Sequence, residues 1–171
     1  LALLPYKPFF TDILIGSDPV NAKYVAMKKK TAEEIGFGYK DVIFDDNVTT
    51  EEVVDVIKKL NEDNDMAGII VQLPLPPQFD KQAILDAVSP EKDVDVLGSV
   101  ASEFFYSNKS TLALPTANAV MKILEQISVD FNDKKLVILG QGPLVGKPVS
   151  HLLMNQGIVH DVVTKKTEET L

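Results

Sequence analysis

The sequence contains no cysteine, which excludes a disulfide framework, a thiolate zinc site and a cysteine nucleophile, and which fits a reducing cytoplasm. It also has no excess of basic residues: 17 Lys and Arg stand against 25 Asp and Glu, so the net charge is −8. This balance argues against nucleic acid or an anionic membrane surface as the main partner. The longest apolar runs, residues 68–73 and 136–139, are as short as strands, whereas a membrane-spanning helix needs about 18 residues.

The remaining composition is that of a globular protein. The chain has 171 residues, 45% of them apolar and 25% charged, which suits one or two modest domains. It begins at Leu1 rather than at a methionine, and it ends at Leu171, where an α/β chain normally starts its next helix. We therefore expect a partial sequence. Residues 1–4 are too short for a signal peptide.

Short apolar runs alternate with segments of helical spacing along the whole chain. The predicted strands are residues 13–16, 41–44, 68–73, 134–140 and 158–163. The predicted helices are residues 20–35, a segment opening at 49–52, and residues 81–88, 116–127 and 145–155. Residues 94–111 lack periodicity and are predicted to form a long loop. The alternation predicts an α/β fold of βαβ units with parallel sheets, divided near Ala113 into domains 1–113 and 114–171.

A glycine-rich segment, residues 140–146, lies between a predicted strand and a predicted helix. Its candidate cofactor-binding residues are Gly140, Gln141, Gly142, Val145 and Gly146. Glycines there allow a tight turn and a close approach to a pyrophosphate, whose charge the helix N-terminus favours. The spacing is GxGxxxG rather than GxGxxG, and a glycine turn that binds nothing is an equal alternative for the motif alone. The strand and helix around it favour a dinucleotide site.

The next predicted strand ends at Thr164-Lys165-Lys166. An acidic side chain usually contacts the ribose of NAD at this place, whereas cations suit the 2′-phosphate of NADP. Lys165 therefore favours NADP over NAD. Two solvated lysines at a strand end are the alternative.

Tyr24 and Lys28 are four residues apart in a predicted helix and share one face. A phenol beside an ammonium can orient it for proton transfer, for which the lysine has to be shielded from water. Spacing alone favours a plainer alternative, in which Lys28, Lys29 and Lys30 form a solvated face.

Two further polar positions lie where parallel sheets bind ligands. Gln72 ends an apolar run just before a proline turn, and its alternative role is an amide paired with backbone in the core. Asp93 and Asp95 open the predicted loop, where a carboxylate can accept two N–H bonds from an amino-pyrimidinone edge or simply end a turn. His151 and His160 have no companion ligands, so we predict no metal site.

Taken in order, four blocks of the sequence resemble the bifunctional methylenetetrahydrofolate dehydrogenase/methenyltetrahydrofolate cyclohydrolase family. The first joins Ile15-Gly16 and Asp18-Pro19 to Tyr24-Val25-x-x-Lys28-x-Lys30-x-Ala32-x-x-x-Gly36. The others are Gly68-Ile-Ile-Val-Gln72-Leu-Pro-Leu-Pro76, Pro90-x-Lys92-Asp93-Val94-Asp95, and Gly140-x-x-x-x-Val145-Gly146-x-Pro148. The resemblance covers nearly the whole chain.

The resemblance implies a catalytic α/β domain that lacks its first helix here, beside a truncated NAD(P)-binding Rossmann domain, with folate between them. Lys28 would be the catalytic lysine, and Gln72 would hold it in position. Tyr24 would border the folate and assist Lys28, while Asp95 would anchor the pterin ring. Methylene-tetrahydrofolate would be oxidised with NADP, and the methenyl product hydrolysed to 10-formyl-tetrahydrofolate. A cytoplasmic homodimer is also implied.

The sequence departs from the family pattern at several places. Val96 follows Asp95 where a glycine is usual, and Asn21 stands where a serine is common. Leu114-Pro115-Thr116 replaces a Cys-Thr-Pro segment, and Gln141-Gly142 replaces an Arg-Ser pair that contacts the 2′-phosphate, a contact that Lys165 would then supply. Two alternatives to the bifunctional folate enzyme remain. One is another two-domain dehydrogenase of the shikimate dehydrogenase type, and the other is an inactive folate-binding fragment.

Overall fold

The computed structural model describes residues 6–110, 112, 114–131 and 134–165. The chain divides into two compact units, Leu1–Phe104 and Phe105–Leu171. Ala113, where we place the domain boundary, lies outside the described residues, so that boundary stays a prediction. Across the described residues, no helix combines the length and apolarity needed to cross a membrane.

The first unit is built on a three-stranded parallel sheet. Its elements are β1 (Phe9–Ile15), α1 (Pro19–Ile35), β2 (Gly38–Phe44), α2 (Thr50–Asn61), β3 (Met66–Val71), α3 (Lys81–Asp86) and α4 (Ser99–Tyr106), whose last two residues lie beyond the unit's end. The strand order is β2-β1-β3, and Ile13 of the central strand pairs with Val42 on one side and Val71 on the other. The α/β fold with parallel strands predicted from the alternating pattern is confirmed.

The core of this unit lies between the sheet and the apolar stripe of α2. Ile13, Ile57 and Ile69 are almost completely buried there. Such a stripe recurs at helical spacing, so one face of α2 is covered by the sheet while its other face stays solvated. The polar residues Thr11 and Asp12 of the central strand β1 are buried as well, at 0% and 1% exposure.

The start of α2 carries a capping box. Thr49 accepts a hydrogen bond from the Glu52 backbone N–H at 3.2 Å, and the Glu52 carboxylate accepts one from the Thr49 N–H at 2.8 Å. Two N–H groups that the helix itself leaves without partners are thereby satisfied. Hydroxyls and acids such as those at 49–52 are typical of a helix start, and the start predicted there is confirmed.

Replacing Thr49 with alanine is expected to lower the free energy of unfolding by about 1 kcal/mol, because the Glu52 N–H loses its acceptor. Urea unfolding of the full-length gene product measures it. Lys59→Ala, an exposed position on the same helix, should change stability by less than about 0.5 kcal/mol. Equal losses in the two variants would show that the cap contributes nothing.

The prediction of a loop over residues 94–111 is wrong, because the structure places α4 within it. This helix has only eight residues and several β-branched or aromatic side chains, which lower helix propensity. Its first N–H is bound from outside: Ser99 donates to the Asp86 carboxylate at 2.6 Å. Ala101 and Phe105 then bury one narrow face. A cap supplied by a distant residue leaves no local signal.

The second unit places two helices around a two-stranded parallel sheet. Its elements are α5 (Pro115–Gln126), β4 (Val137–Leu139), α6 (Gly146–Asn155) and β5 (Asp161–Val163). The pairing runs from Val137 opposite Asp161 to Leu139 opposite Val163. Both strands are shorter than the predicted 134–140 and 158–163, because only three residues of each are paired. Hydrophobicity marked the right segments but not the extent of the pairing.

Candidate active site

Lys28 is the centre of a polar cluster in the first unit. Its ammonium donates to the Asp12 carboxylate and, at 3.0 Å, to the side-chain oxygen of Gln72. The neighbouring lysines differ, since Lys29 pairs with Asp41 and Lys30 with Glu34 in exposed settings. The solvated-face interpretation therefore describes those two lysines and not Lys28, whose side chain keeps only 31% of its surface exposed.

Gln72 directly follows β3 and is held in one orientation. Its amide nitrogen donates to the Leu73 carbonyl at 3.0 Å and to the Asn21 side-chain oxygen at 3.4 Å. Asn21 is itself buried and donates to the Pro74 carbonyl at 3.3 Å. Because both donors of the Gln72 amide are engaged, its oxygen is left to accept from Lys28. Asn21, at a position where the family often has serine, thus contributes to this arrangement.

Asp12 belongs to the cluster although the sequence analysis did not find it. It lies in the middle of β1, is 1% exposed, and accepts from the Tyr39 hydroxyl at 3.1 Å as well as from Lys28. Burial raises the pKa of the Asp12 carboxyl, and the hydrogen bond and charge of Lys28 oppose that rise. The available signal was a single carboxylate among the apolar residues 9–15, which we missed because the predicted strand began at Ile13.

Tyr39 on β2 completes the surroundings of Asp12. Burial, followed by the charge of Asp12, raises the pKa of the Tyr39 hydroxyl, so it stays protonated and can only donate to the carboxylate. Its ring packs edge-on against Phe10, with centroids 5.2 Å apart. Tyr39 therefore donates to one oxygen of the Asp12 carboxylate, and Lys28 donates to the other.

Asp95 lies within the electrostatic range of the same lysine. Burial raises the pKa of its carboxyl, the positive charge of Lys28 opposes this, and the charges of Asp93 and Asp12 add to the rise. Asp93 is instead bound to backbone, accepting from the Leu97 N–H at 2.9 Å and the Gly98 N–H at 2.7 Å. Of the two aspartates, Asp95 is thus the one left for a ligand.

Val96, directly after Asp95, adopts a left-handed conformation with φ of 56°. This backbone conformation favours glycine, the residue usual at this position in the family, and it is strained for a β-branched side chain. The valine is nevertheless buried to 3% exposure. Burial of its side chain offsets part of the strain, and the turn that presents Asp95 is kept.

Tyr24 is a predicted residue that lies outside the hydrogen bonds joining Lys28, Asp12 and Gln72. It lies one helical turn before Lys28 on α1 and is 55% exposed. The described residues give no hydrogen bond between its hydroxyl and Lys28. An exposed ring on the same helix face suits stacking on a flat ligand better than orienting the ammonium.

The glycine-rich segment lies in the second unit, between β4 and α6. Gly140 has φ of 92°, a conformation that L side chains rarely adopt, and its N–H donates to the Val163 carbonyl at 2.8 Å. A Cβ on Gly146 would collide with the Gly140 carbonyl oxygen, so this third glycine permits the close packing of helix start and turn. A Cβ on Gly142 would meet nothing within 4 Å. The second glycine therefore borders open space.

Three observations test whether a dinucleotide fits this turn. The helix α6 starts directly after Val145 and has no side-chain cap; because the Lys147 N–H donates to the Gly142 carbonyl at 3.2 Å and Pro148 has no N–H, the Gly146 N–H is the helix-start donor with no described acceptor. Among the described residues, the side-chain nitrogen of Gln141 is buried without an acceptor. Lys165 is exposed just past β5. An uncapped helix start, an unpaired donor and a nearby cation together suit a phosphate-bearing cofactor.

The two histidines have structural partners. His160 lies 2.6 Å from the Ser150 hydroxyl and 3.0 Å from the Ile158 carbonyl, and His151 lies 3.0 Å from the Asn108 side-chain oxygen. Within the described part of the chain, no group of three His, Cys, Asp or Glu residues could hold a metal ion.

Comparison with known families matches both halves of the chain. Residues 4–95 match the catalytic domain of tetrahydrofolate dehydrogenase/cyclohydrolase, and residues 114–171 match its NAD(P)-binding domain. The bifunctional protein FolD of Staphylococcus aureus (strain Newman) is 35% identical over 164 residues, which are 96% of this chain and 57% of that protein. This chain thus spans a little more than half the length of the curated relatives it matches.

Solved structures of the same family are also similar to this chain. The FolD dehydrogenase/cyclohydrolase of Campylobacter jejuni superposes with a TM-score of 0.88 at 32% identity, over 94% of this chain and 57% of that one. The Trypanosoma brucei enzyme, solved with NADP and an inhibitor, gives a TM-score of 0.85 at 36% identity, over 92% of this chain and 54% of that one. With its catalytic and nucleotide-binding parts both matched, the chain belongs to the tetrahydrofolate dehydrogenase/cyclohydrolase family.

Proposed function

We propose that this protein oxidises 5,10-methylene-tetrahydrofolate with NADP and hydrolyses the resulting methenyl-tetrahydrofolate to 10-formyl-tetrahydrofolate. The observation that carries the proposal is Lys28, a partly shielded ammonium held by Asp12 and Gln72 with Asp95 in its electrostatic range. The hydrolytic step needs such a group. Water attacking the methenyl cation must lose a proton, and the ring nitrogen that leaves must gain one.

Each residue of the cluster has a distinct role in this proposal. Lys28 moves the protons, and Gln72 keeps its ammonium in place through a fixed amide oxygen. Asp95 accepts hydrogen bonds from the amino-pyrimidinone edge of the pterin, for which a carboxylate is suited. Tyr24, exposed on the same helix, borders the folate ring. Roles of this kind need the side chains to be held before the substrate arrives, as they are for Lys28 and Gln72.

NADP would be held by the second unit. Gly140, Gly142 and Gly146 give the turn its shape, Gln141 offers a donor without a partner, and the α6 N-terminus after Val145 receives the pyrophosphate. Lys165 contacts the 2′-phosphate and thereby favours NADP over NAD. Bound there, the nicotinamide supplies the hydride acceptor for the oxidation. The NADP-bound relative from Trypanosoma brucei supports this choice of cofactor.

The test is a paired kinetic assay of the full-length gene product with methylene-tetrahydrofolate and each dinucleotide. We expect reduction of NADP at least about 10-fold more efficient than reduction of NAD, since one charge-assisted contact to the 2′-phosphate is present only with NADP. Lys165→Ala should reduce this preference. Tight folate binding without hydride transfer to either dinucleotide would overturn the proposal in favour of a folate-binding scaffold.

The proposal includes a cytoplasmic homodimer, which the resemblance to the family implies. Sedimentation of the full-length protein tests the dimer, and a monomer at micromolar concentration would contradict it.

A further inference from the structure

The buried carboxylate of Asp12 is bound by side chains and not by backbone N–H groups of the described residues. Among the described residues, its hydrogen bonds go only to Lys28 and Tyr39, and none goes to a backbone N–H or a helix start. Asp93, which is also buried in the same unit, shows the contrast, because it accepts hydrogen bonds from the N–H groups of Leu97 and Gly98. A buried charge is costly unless it is paired and hydrogen-bonded, and for Asp12 the pairing depends on Lys28 alone among the described residues. A carboxylate buried in the central strand with one lysine as its counter-ion points to a function exercised through that lysine.

The charged and titratable groups around Asp12 come from each element packed against it. Lys28 approaches from α1, Tyr39 and Asp41 lie on β2, and Asp95 lies in the loop between α3 and α4. The charge of Asp41 disfavours a negative charge on Asp12, and the charge of Asp12 in turn raises the pKa of the Asp95 carboxyl. Lys28 is therefore the positive group that balances it, and the hydrogen bond to Asp12 is the direct path for a proton between them.

We propose that Asp12 is the proton partner and positioning residue of Lys28 in the hydrolytic step, an inference that rests on the proposed function. One N–H bond of the Lys28 ammonium breaks and an O–H bond forms on Asp12, which converts a charged pair into a neutral amine and a neutral carboxylic acid. The amine takes the first proton that the attacking water loses and passes it to the leaving ring nitrogen. As the carbon–nitrogen bond to that ring nitrogen breaks and the formyl C=O bond forms, the remaining hydroxyl proton of the adduct is released to solvent, so the cation and water give 10-formyl-tetrahydrofolate and one proton. Asp12 then returns its proton to the amine.

Tyr39 has a defined part in this cycle. Its hydroxyl donates to the second carboxylate oxygen, so the first oxygen stays directed at Lys28. Since a hydroxyl hydrogen bond survives on either protonation state of a carboxyl group, the acid form is held in the same position as the carboxylate. Both forms of Asp12 thus remain available to the same lysine.

The first test is Asp12→Asn in the full-length gene product. An amide has nearly the same shape but cannot take up the proton, so kcat for methenyl-tetrahydrofolate hydrolysis should fall about 100-fold while KM changes less than about 2-fold. The pH profile of kcat should change as well, because one titrating group is lost. Asp55→Asn, an exposed aspartate on α2, is the matched control and should leave both constants unchanged. Tyr39→Phe keeps the ring packing and should give a smaller fall in kcat.

A second readout does not depend on turnover. Acetylation of Lys28 by a limiting reagent, measured by peptide mass spectrometry relative to exposed Lys30, should be about 3- to 10-fold faster in Asp12→Asn, because the ammonium loses its paired carboxylate. The increase in the rate of Lys28 acetylation should be smaller in Tyr39→Phe.

These outcomes separate the inference from the proposed function. A wild-type protein that fails to hydrolyse methenyl-tetrahydrofolate overturns the proposed function and, with it, the catalytic part of the inference. An active wild type with an unchanged kcat and pH profile in Asp12→Asn overturns only the inference. If Asp12→Asn fails to fold, Tyr39→Phe decides: wild-type kcat, pH profile and Lys28 acetylation in that variant contradict the inference.

Discussion

Replacing Lys28 with methionine is expected to reduce hydrolysis of methenyl-tetrahydrofolate by the full-length protein about 1,000-fold, because the group that moves protons is removed. Methionine keeps the length and apolar stem of lysine, so α1 should still pack on the sheet. Asp12 and Gln72 lose their shared donor, and an unpaired buried carboxylate is costly. Folding therefore has to be checked by circular dichroism and thermal unfolding alongside the rate of hydrolysis.

Lys30→Met is the matched control for this variant. It makes the same substitution on the same helix, at a lysine whose side chain is 78% exposed and pairs only with Glu34. Surface pairs of this kind contribute little to stability, so both the hydrolysis rate and the thermal midpoint should stay close to wild type. A folded Lys28→Met protein that hydrolyses at the rate of Lys30→Met would refute the role of the lysine.

Replacing Gly146 with alanine should strongly lower both the stability of the protein and its affinity for NADP. The new Cβ would collide with the Gly140 carbonyl oxygen and lie 2.9 Å from its carbon, and both are backbone atoms that can yield only if the turn opens. Overpacking of this kind lowers the free energy of unfolding by about 1–3 kcal/mol. Because the displaced turn is the proposed pyrophosphate site, NADP should bind more than about 10-fold more weakly, as lost contacts to a charged group are expensive. Urea unfolding and fluorescence titration measure the two effects.

Gly142→Ala separates stability from cofactor binding. Its Cβ would meet nothing within 4 Å, so unfolding should be unchanged. If the pyrophosphate lies over this turn, the added methyl occupies space next to it and the affinity for NADP should still fall. Unchanged NADP affinity in Gly142→Ala would move the cofactor away from the second glycine, and wild-type stability in Gly146→Ala would contradict the packing described.

Local signals in the sequence predicted most of the elements. Apolar spacing predicted α1, and the hydroxyl and acidic residues at 49–52 predicted the start of α2, where the structure contains a capping box. Such features depend on residues that are close in sequence, and each is repeated over one or more turns. The glycine turn before α6 was found for the same reason.

The contacts that define the site came from residues far apart in the chain. Lys28 and Gln72 were found as separate candidates, but their hydrogen bond spans 44 positions and had no sequence signature. Asp12 and Tyr39 meet only because β1 and β2 are neighbours in a sheet whose strand order differs from the chain order. Helix α4 could not be predicted from the sequence for the same reason, because its first N–H is bound by Asp86, which lies outside the helix.

The most direct test of the central claim is a progress curve of the full-length protein with methylene-tetrahydrofolate and NADP, recording NADPH and methenyl-tetrahydrofolate together. A protein with both activities and a working Lys28 should form NADPH while methenyl-tetrahydrofolate stays low, and the Lys28→Met variant should let any methenyl-tetrahydrofolate it forms accumulate. No NADPH in the wild type, or equal accumulation of methenyl-tetrahydrofolate in the wild type and the variant, would contradict the account.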